Sequence, residues 1–482
     1  MTKAFDKGIV KVEDNSKNQS IGDLRNQELR SHATIGIPVT LQSFFKKPQY
    51  QFLSFIDDED KRALKSSMED LVFNCHGNDK DYYVDTGNYI GKIRWPVGKN
   101  YLDLEIGSRF KNIFLQRMIN FSNDVYWDDF DDENSESSED NTAEFILHYL
   151  FIQALEKAYL LGLPRSYQSV EHHQSSVKGK IDINQFIRRD VPFKGKVSSV
   201  SREQLGIPEI VDVLYKAVSI TIKSNNNALK SRVNHIIPHL KQARTNNYVT
   251  SQTIYKAKTS QSLNNPIFSA YKKVLNLAEM VINQHGLRDN KDANEQGFGF
   301  LLNVAELFEV YVTKLLQKEF PDWSITSPSH KVYGNTFFVR KIIPDIVMTK
   351  GDNVLVFDTK YKRMKFRGTE DNVWDVDRND FFQIHTYLSY YLSAEEEKHK
   401  YNVLAAGLLY PLSGEYIQKN CQSNGALGDN KTLFVIDGIE LSELEKENQN
   451  DKPSMSNLIL KEQMFIERIR GVITRGIANR EG

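Results

Sequence analysis

Residues 342–362 read IIPDIVMTKGDNVLVFDTKYK, and this stretch decides the fold class of the last third of the chain. An apolar run (Ile342, Ile343, Ile346, Val347, Met348) leads into a turn at Lys350-Gly351-Asp352-Asn353, and a second run (Val354, Leu355, Val356, Phe357) leads back out. Two such runs about a Gly-Asp turn predict a β-hairpin. Their near-continuous apolarity fits strands covered on both faces in a mixed α/β sheet. Carboxylates interrupt the hydrocarbon: Asp345 in the first run, Asp358 with Lys360 at the end of the second. Side chains alternate along a strand, so Asp358 and Lys360 share a face, and the hairpin brings Asp345 within reach of it.

Two neighbouring carboxylates repel each other and are costly to desolvate unless something positive lies between them. Oxygen ligands in that arrangement suit a hard divalent cation, most naturally Mg²⁺, which keeps several waters and shares its remaining positions with phosphate. Lys360 would add positive charge beside a phosphorus gathering negative charge, or orient the attacking water, as hydrolysis of a phosphodiester requires. The alternative is a strand end carrying solvated charges, and Pro344-Asp345 by itself also fits a turn. Pro344-Asp345, twelve residues, then Asp358-Thr359-Lys360 resembles the PD-(D/E)xK nuclease signature.

The chain of 482 residues has room for two or three domains, each with an ample core. Its formal net charge of −1 says nothing about partners; the distribution of charge does. Cys75 and Cys421 are the only cysteines, too few for a disulfide framework, and neither lies in a metal-ligand cluster. There is no signal-like segment after Met1 and no run of eighteen apolar residues. Both point to a cytoplasmic protein that does not span a membrane.

The first thirty-five residues are polar without a sustained period, which predicts a loosely packed lead-in. A helix is expected over 57–73, strands over 82–84, 91–95 and 102–106, and a helix over 110–121. Eight carboxylates crowd residues 128–140, interleaved with serines. Repulsion on that scale keeps a loop solvated and marks a domain boundary, with a regulatory or DNA-mimicking role as the alternative. A helix is expected over 142–161, and a Gly turn within an alternating segment over 176–189.

From Val213 through Ala278 there is no Asp or Glu, while ten lysines and arginines fall in that window. A phosphate backbone rewards one-signed charge through counterion release, so Lys230, Arg232, Lys241, Arg244, Lys256 and Lys258 are candidate DNA contacts. An acidic protein partner or an inert surface are the alternatives.

The last portion begins near Phe298, and FGFLLNVAELFEVYVTKLLQKEF predicts a helix with one apolar face. Glu309 lies on the otherwise apolar row of Ala305, Val312 and Leu316, where an acid is expensive unless it meets a cation. It is a candidate to reach the hairpin's metal; pairing with a nearby Lys or Arg is the alternative. Residues 380–392 predict a helix capped near Asn379 or Asp380, with Gln383 and Tyr387 on one face. Gln383 would hold a water or phosphate beside the site, or simply sit at the core edge; His385 reads as a packing or surface histidine. Strands over 403–410 and 432–436 and a closing helix over 458–473 complete a sheet flanked by helices.

Taken in order, Leu307–Glu309 with Tyr311-Val312, the PD…DTKYK hairpin and Asp380…Gln383…Tyr387 resemble the McrC family, the nuclease subunits of McrBC-type restriction systems, LlaJI-like members included. Upstream, LxLEIG before RMINF, KGKIDI at 178–183 and Glu209…Asp212…Lys216 fit as well, so the resemblance spans about 82–410. It implies that Asp345 and Asp358 bind the metal, that Lys360 serves catalysis, and that Glu309 and Gln383 support the site. It also implies a partner, an McrB-like AAA+ GTPase ring whose hydrolysis the N-terminal half stimulates. This chain has no Gly-x-x-x-x-Gly-Lys-[Ser/Thr] loop, so GTP would be bound by that partner.

The expected fold class is α/β and multidomain. It comprises a mixed α+β N-terminal half (1–140, for docking on the ring), a basic, mainly helical middle (141–290), and a C-terminal PD-(D/E)xK restriction-endonuclease-like α/β domain (291–482). The expected function is that of a Mg²⁺-dependent DNA endonuclease subunit. A non-catalytic adaptor that activates the ring, and a stand-alone structure-specific nuclease, are the alternatives.

Overall fold

The computed structural model describes residues 9–22, 24, 26–47, 50–53, 70–78, 81–110, 112–122, 142–223, 227–245, 247–289, 297–332, 340–362, 365–367, 373–375, 377–393, 401–412, 422–423, 429–441 and 455–481. The C-terminal sheet has six strands in the order Ser324–Thr326, Ile346–Lys350, Asn353–Thr359, Asn402–Leu412, Leu433–Glu440 and Gln422–Ser423. The expected hairpin is there, with Ile346 opposite Phe357 and Lys350 opposite Asn353. Gly351 closes it at φ 59°, a conformation that disfavours side chains with a Cβ.

Asn353–Thr359 is a central strand, antiparallel to one neighbour and parallel to Asn402–Leu412 on the other side. Parallel pairing needs a crossover and cover on both faces. The helix Arg378–Ser393 makes the crossover and packs on both parallel strands, while the C-terminal helix Met455–Glu481 packs on Asn402–Leu412 and Leu433–Glu440. Gly476 lets that helix approach closely, since a Cβ there would sit 2.7 Å from the Cβ of Leu404. Residues 354–359 are all buried, as their apolar run requires.

Two N-terminal sheets lie in the same compact unit, which comprises Met1–Ser135 and Gln296–Gly482. One has the strand order Val10–Glu13, Asn100–Gly107, Tyr89–Val97, Phe298–Asn303 and Tyr50–Leu53. The other has Gln19–Gly22, Asp81–Thr86, Leu71–Asn78 and Ile37–Thr40. The three strands expected over 82–106 and the helix after them (Asn112–Ser122) are present. A buried ion pair joins that helix to the far end of the chain: Arg117 Nε and Nη2 donate to Glu462 at 2.8 and 2.7 Å. The Tyr311 hydroxyl donates to the same carboxylate at 2.6 Å.

Three expectations are corrected. The lead-in is built into the core: Val10, Val12, Ile21 and Leu24 are buried, and Val10–Glu13 pairs with Asn100–Gly107. Strands of four residues offer only two inward positions, too few to show a period. The helix expected over 57–73 falls mostly outside the described residues, and its end belongs to the strand Leu71–Asn78. The helix expected from Phe298 begins only at Val304; Phe298–Asn303 is a strand of the N-terminal sheet. Asn303 separates the two, its side chain accepting from the amides of Ala305 and Glu306 as an N-cap.

The second compact unit spans Glu136–Glu295. Its helices include Thr142–Tyr159, Pro208–Lys223 and Tyr271–Asp289. It also holds a long antiparallel pair, Arg165–Gln174 with Val197–Gly206, and the short strand Lys180–Ile181 beside the latter. Arg165–Gln174 alternates between exposed and half-buried positions without becoming buried, so it carries no apolar stripe. The acidic block at 128–140 lies outside the described residues.

Candidate active site

One step outward from the Ile346–Phe357 pair, Asp345 faces Asp358 across the hairpin. Asp345 Oδ2 accepts the Thr359 amide at 2.7 Å and the Thr359 hydroxyl at 2.8 Å. The Ser327 hydroxyl donates to the carbonyl of Pro344 at 2.8 Å and fixes the chain just before Asp345. Asp358 points into a closed space, with no side-chain exposure, and its Oδ2 is ion-paired with Lys360 Nζ. Beyond Lys360, neither oxygen of Asp358 accepts a hydrogen bond from a described residue.

Lys360 is fixed from two directions. Its amide donates to the Leu409 carbonyl at 2.8 Å, keeping it on the neighbouring parallel strand. Its ammonium donates to Gln383 Oε1 at 3.0 Å. The Gln383 amide donates to the Tyr387 hydroxyl at 2.8 Å, and that hydroxyl donates to the Ile343 carbonyl at 3.1 Å. A closed ring of contacts thus runs from the hairpin through the Arg378–Ser393 helix and back.

Electrostatics set these groups apart from ordinary surface charges. Burial, and then the charge of Asp345, push Asp358 up to about 7, against the pull of Lys360. Burial also raises Asp345, opposed by Lys360 and by the Thr359 hydrogen bonds. Glu309, on the helix Val304–Glu319, is held well above the usual carboxylate range by burial and by the charges of Asp345, Asp358 and Glu306. No described Lys or Arg pairs with it, so Glu309 belongs electrostatically to the aspartate pair. Burial works against charging Lys360, but Asp358 and Asp345 outweigh it, and its pKa rises.

The geometry therefore gathers Asp345, Asp358, Lys360 and Gln383 in one place, and Glu309 lies within electrostatic reach of the two aspartates and of Lys360. Among the described residues no group of three or more His, Cys, Asp and Glu side chains converges at metal-ligand spacing. Asp345 and Asp358 nonetheless fit Mg²⁺, a hard cation that keeps several waters and takes only one or two carboxylates. The carboxylate of Asp358, buried and short of hydrogen-bond donors, is the kind of group a cation would satisfy.

Sequence reasoning missed the shell behind these residues. Lys362 Nζ lies 2.5 Å from Asp380 Oδ2, and the Tyr410 hydroxyl donates to the same oxygen at 3.2 Å. Lys362 stands past the end of the strand, its amide turned back to the Lys360 carbonyl at 2.9 Å, where strand alternation no longer reports which way a side chain goes. The helix is capped by Asp377, whose Oδ1 accepts the Asn379 amide at 2.9 Å, rather than by Asn379 or Asp380. His385 packs against Phe381 and Phe434, with ring centroids 4.1 and 5.2 Å away.

In the second unit the candidate DNA contacts divide. Lys230, Lys241, Arg244 and Lys256 are exposed, with Arg244 stacked 4.4 Å over Tyr215. Arg232 is paired with Glu156, and Lys258 with Glu279 at 2.7 Å. The acid-free window finds part of its counter-charge outside itself, at Glu279 just past its end and at Glu156 on the earlier helix Thr142–Tyr159.

The sheet, its flanking helices and the carboxylate–lysine cluster define a mixed α/β protein. Its fold is similar to that of a chain in the refined half-complex of the tetradecameric assembly of Thermococcus gammatolerans McrB AAA+ hexamers with bound McrC. The TM-score is 0.54 at 14% identity, covering 96% of this chain and 100% of that chain. A chain of the cryo-EM Thermococcus gammatolerans McrBC complex aligns with a TM-score of 0.34 at 12% identity, over 65% of this chain and 88% of that chain. No curated protein matches. Residues 84–411 match the McrBC 5-methylcytosine restriction system component family, and the chain belongs to that family. Among the described residues no helix is long and apolar enough to cross a membrane.

Proposed function

We propose that this chain is the DNA-cleaving subunit of an McrBC-like restriction system, a PD-(D/E)xK endonuclease that hydrolyses phosphodiester bonds with Mg²⁺. The observation that carries the reading is the wholly buried Asp358, ion-paired with Lys360 and facing Asp345, with Glu309 in the same field. A cluster of three acids and one lysine in a water-poor space is costly to fold and is expected where it serves chemistry.

Asp345 and Asp358 would hold the divalent cation, which when bound supplies positive charge to offset that building on the phosphate. Lys360, oriented by Gln383 and the Tyr387 hydroxyl, places its ammonium where the transition state gathers negative charge. Glu309, its pKa raised, is a group able to hold or pass a proton near the reacting water. Thr359 fixes Asp345 through two hydrogen bonds and so sets the distance between the two aspartates. A partner of the McrB AAA+ kind would supply GTP binding and hydrolysis; family membership and the similar fold in the McrB–McrC assembly support that assignment.

The test is DNA cleavage by the full chain assembled with its GTP-hydrolysing partner, carrying Asp345→Ala, Asp358→Ala or Lys360→Ala. Each should lose cutting while GTP turnover by the complex persists. Undiminished cleavage would leave only the role of a non-catalytic activator of the ring.

A further inference from the structure

The strand that carries Asp358 and Lys360 ends in a sharp turn. The Lys360 amide makes its last hydrogen bond to the neighbouring strand, and the Lys362 amide folds back to the Lys360 carbonyl at 2.9 Å. That turn throws the carbonyl of Tyr361 out of the sheet. A buried carbonyl left without a partner is expensive. This one is met by residues more than 250 positions away in sequence: Arg109 Nη2 donates to it at 2.7 Å and Asn15 Nδ2 at 3.1 Å.

The clamp is itself tightly held. The Arg109 amide donates to Asp14 Oδ1 at 2.7 Å, and Arg109 Nη1 donates to the Asn15 carbonyl at 3.4 Å. Arg109 Nε lies 3.9 Å from Asp14 Oδ2, and both side chains are almost fully buried. Asp14 follows the first strand of the N-terminal sheet and is pinned to the Gly107 carbonyl through its own amide, at 2.9 Å. The guanidinium also lies 4.8 Å over the ring of Tyr361, and that ring packs edge-on against Phe110 and tilted against Phe308. Phe308 precedes Glu309. One buried ring, next to Lys360 in sequence, therefore touches the residue next to Glu309.

We infer that Arg109 is a positioning residue for phosphodiester cleavage: with Asn15 it holds the Tyr361 carbonyl, so that the N-terminal sheet sets where Lys360 and Glu309 stand relative to Asp358. The inference rests on the hydrolytic reading of Asp358 and Lys360. A guanidinium suits the task because its planar fork reaches two carbonyls and stacks on a ring at once, which an ammonium does not. A shift of the strand ends Val10–Glu13 and Asn100–Gly107 would be felt at Tyr361, next to Lys360, through this clamp.

The experiment uses the full chain assembled with its GTP-hydrolysing partner, Mg²⁺ and a DNA substrate, with Arg109→Met, Arg109→Lys, Asn15→Ala and, as control, Asp358→Asn. Single-turnover cleavage is read beside KM for DNA, melting temperature and amide hydrogen exchange of residues 353–362. Arg109→Met should slow cleavage by about 10-fold or more with KM within about 2-fold, because misplacement costs rate before binding. Arg109→Lys should fall between Arg109→Met and the parent, and Asn15→Ala should slow cleavage by about 2- to 5-fold, one of two donors being lost. Exchange at the Lys360 amide should quicken in all three while residues 402–412 keep their protection. Unchanged cleavage and exchange in folded Arg109→Met, or in Asn15→Ala should Arg109→Met not fold, would overturn the inference. So would exchange that quickens evenly through the whole unit, since that marks general loosening. Cutting by Asp358→Asn would sink the hydrolytic reading instead, while the exchange measurement would still decide whether the clamp holds the strand end.

Discussion

Asp345 reaches across the hairpin to Thr359, its Oδ2 accepting both the amide at 2.7 Å and the hydroxyl at 2.8 Å. The residue that anchors one aspartate is thus the neighbour of the other, and the spacing of the two carboxylates is set by the backbone of the central strand. Groups that orient metal ligands are commonly worth about 10- to 100-fold in metal affinity. Thr359→Val removes the hydroxyl and keeps the amide. The Mg²⁺ concentration giving half-maximal cleavage should rise by about 10-fold, with most of the rate recovered at saturating metal. A metal titration with an unmoved midpoint would count against Asp345 as a ligand.

The same ligand assignment predicts a response in the folded state itself. A cation that binds only the native site stabilises it by mass action, about 1.4 kcal/mol at ten times its dissociation constant. The parent chain should therefore melt higher as Mg²⁺ is added. Asp358→Asn should melt at a temperature independent of Mg²⁺, because an amide removes the charge that makes the buried site attractive. Calcium, which also takes oxygen ligands, should stabilise the parent in the same assay. Equal response of parent and variant would place the metal elsewhere.

Gln383 and Tyr387 give a graded test of how Lys360 is oriented. Gln383→Ala takes away the acceptor that the ammonium uses at 3.0 Å. Tyr387→Phe leaves that acceptor but removes the hydroxyl that fixes it. The first should lower kcat by about 10- to 100-fold and the second by about 3- to 10-fold, neither with much change in KM, because only placement near the transition state is lost. The reverse order would mean that Tyr387 acts on the site directly.

Asp14 supplies a pH signature separate from the metal. It is wholly buried, and burial pushes its carboxyl up to about 6 against the pull of Arg109. An aspartate in the unfolded chain titrates near about 3.9. The folded value is the higher one, so the native state keeps the proton more tightly. Asp14 therefore contributes stability that is fully present below about 3.9 and is lost as pH rises through about 6, amounting to about 3 kcal/mol. Asp14→Asn cannot titrate. The unfolding free energy of the parent minus that of Asp14→Asn, from urea titrations, should fall by about 2–3 kcal/mol between pH 4 and pH 7. A flat difference over that range would show that Asp14 keeps an ordinary pKa, and a growing one that its pKa is lowered; either would overturn the prediction.

What the sequence revealed and what it hid follow from the range of the interactions involved. The hairpin was legible because two apolar runs, a Gly turn and alternation all act within about twenty residues. The face shared by Asp358 and Lys360 followed from the same alternation, and Gln383 from helical spacing. Glu309 stood out as an acid on an apolar row. Arg109 and Asn15 left no such trace, since their contacts with Tyr361 join parts of the chain 252 and 346 residues apart, and Asp14 meets Arg109 across 95 residues. The strand Phe298–Asn303 was hidden by its own apolarity, which fits a strand as well as the first turns of a helix. In the middle of the chain, absence of acid over sixty-six residues looked like unpaired positive charge, yet Glu156 and Glu279 lie outside the window and reach into it.

That division predicts two kinds of behaviour among the middle unit's cations. Lys241 and Lys256 are exposed, whereas Arg232 is paired with Glu156 and sits 5.3 Å over the ring of Tyr149. A lysine that neutralises a phosphate releases condensed counterions, so removing it shallows the slope of log K against log salt by about 1 and weakens binding to all sequences alike. Lys241→Ala and Lys256→Ala should each do this in DNA-binding titrations across salt concentrations. Arg232→Ala should leave the slope unchanged and instead lower stability by about 1–2 kcal/mol, because Glu156 loses its charged donors. Should Arg232→Ala alter the slope while the two lysine variants leave it intact, phosphate contact would have to be assigned to the paired face of the unit and not to the exposed one.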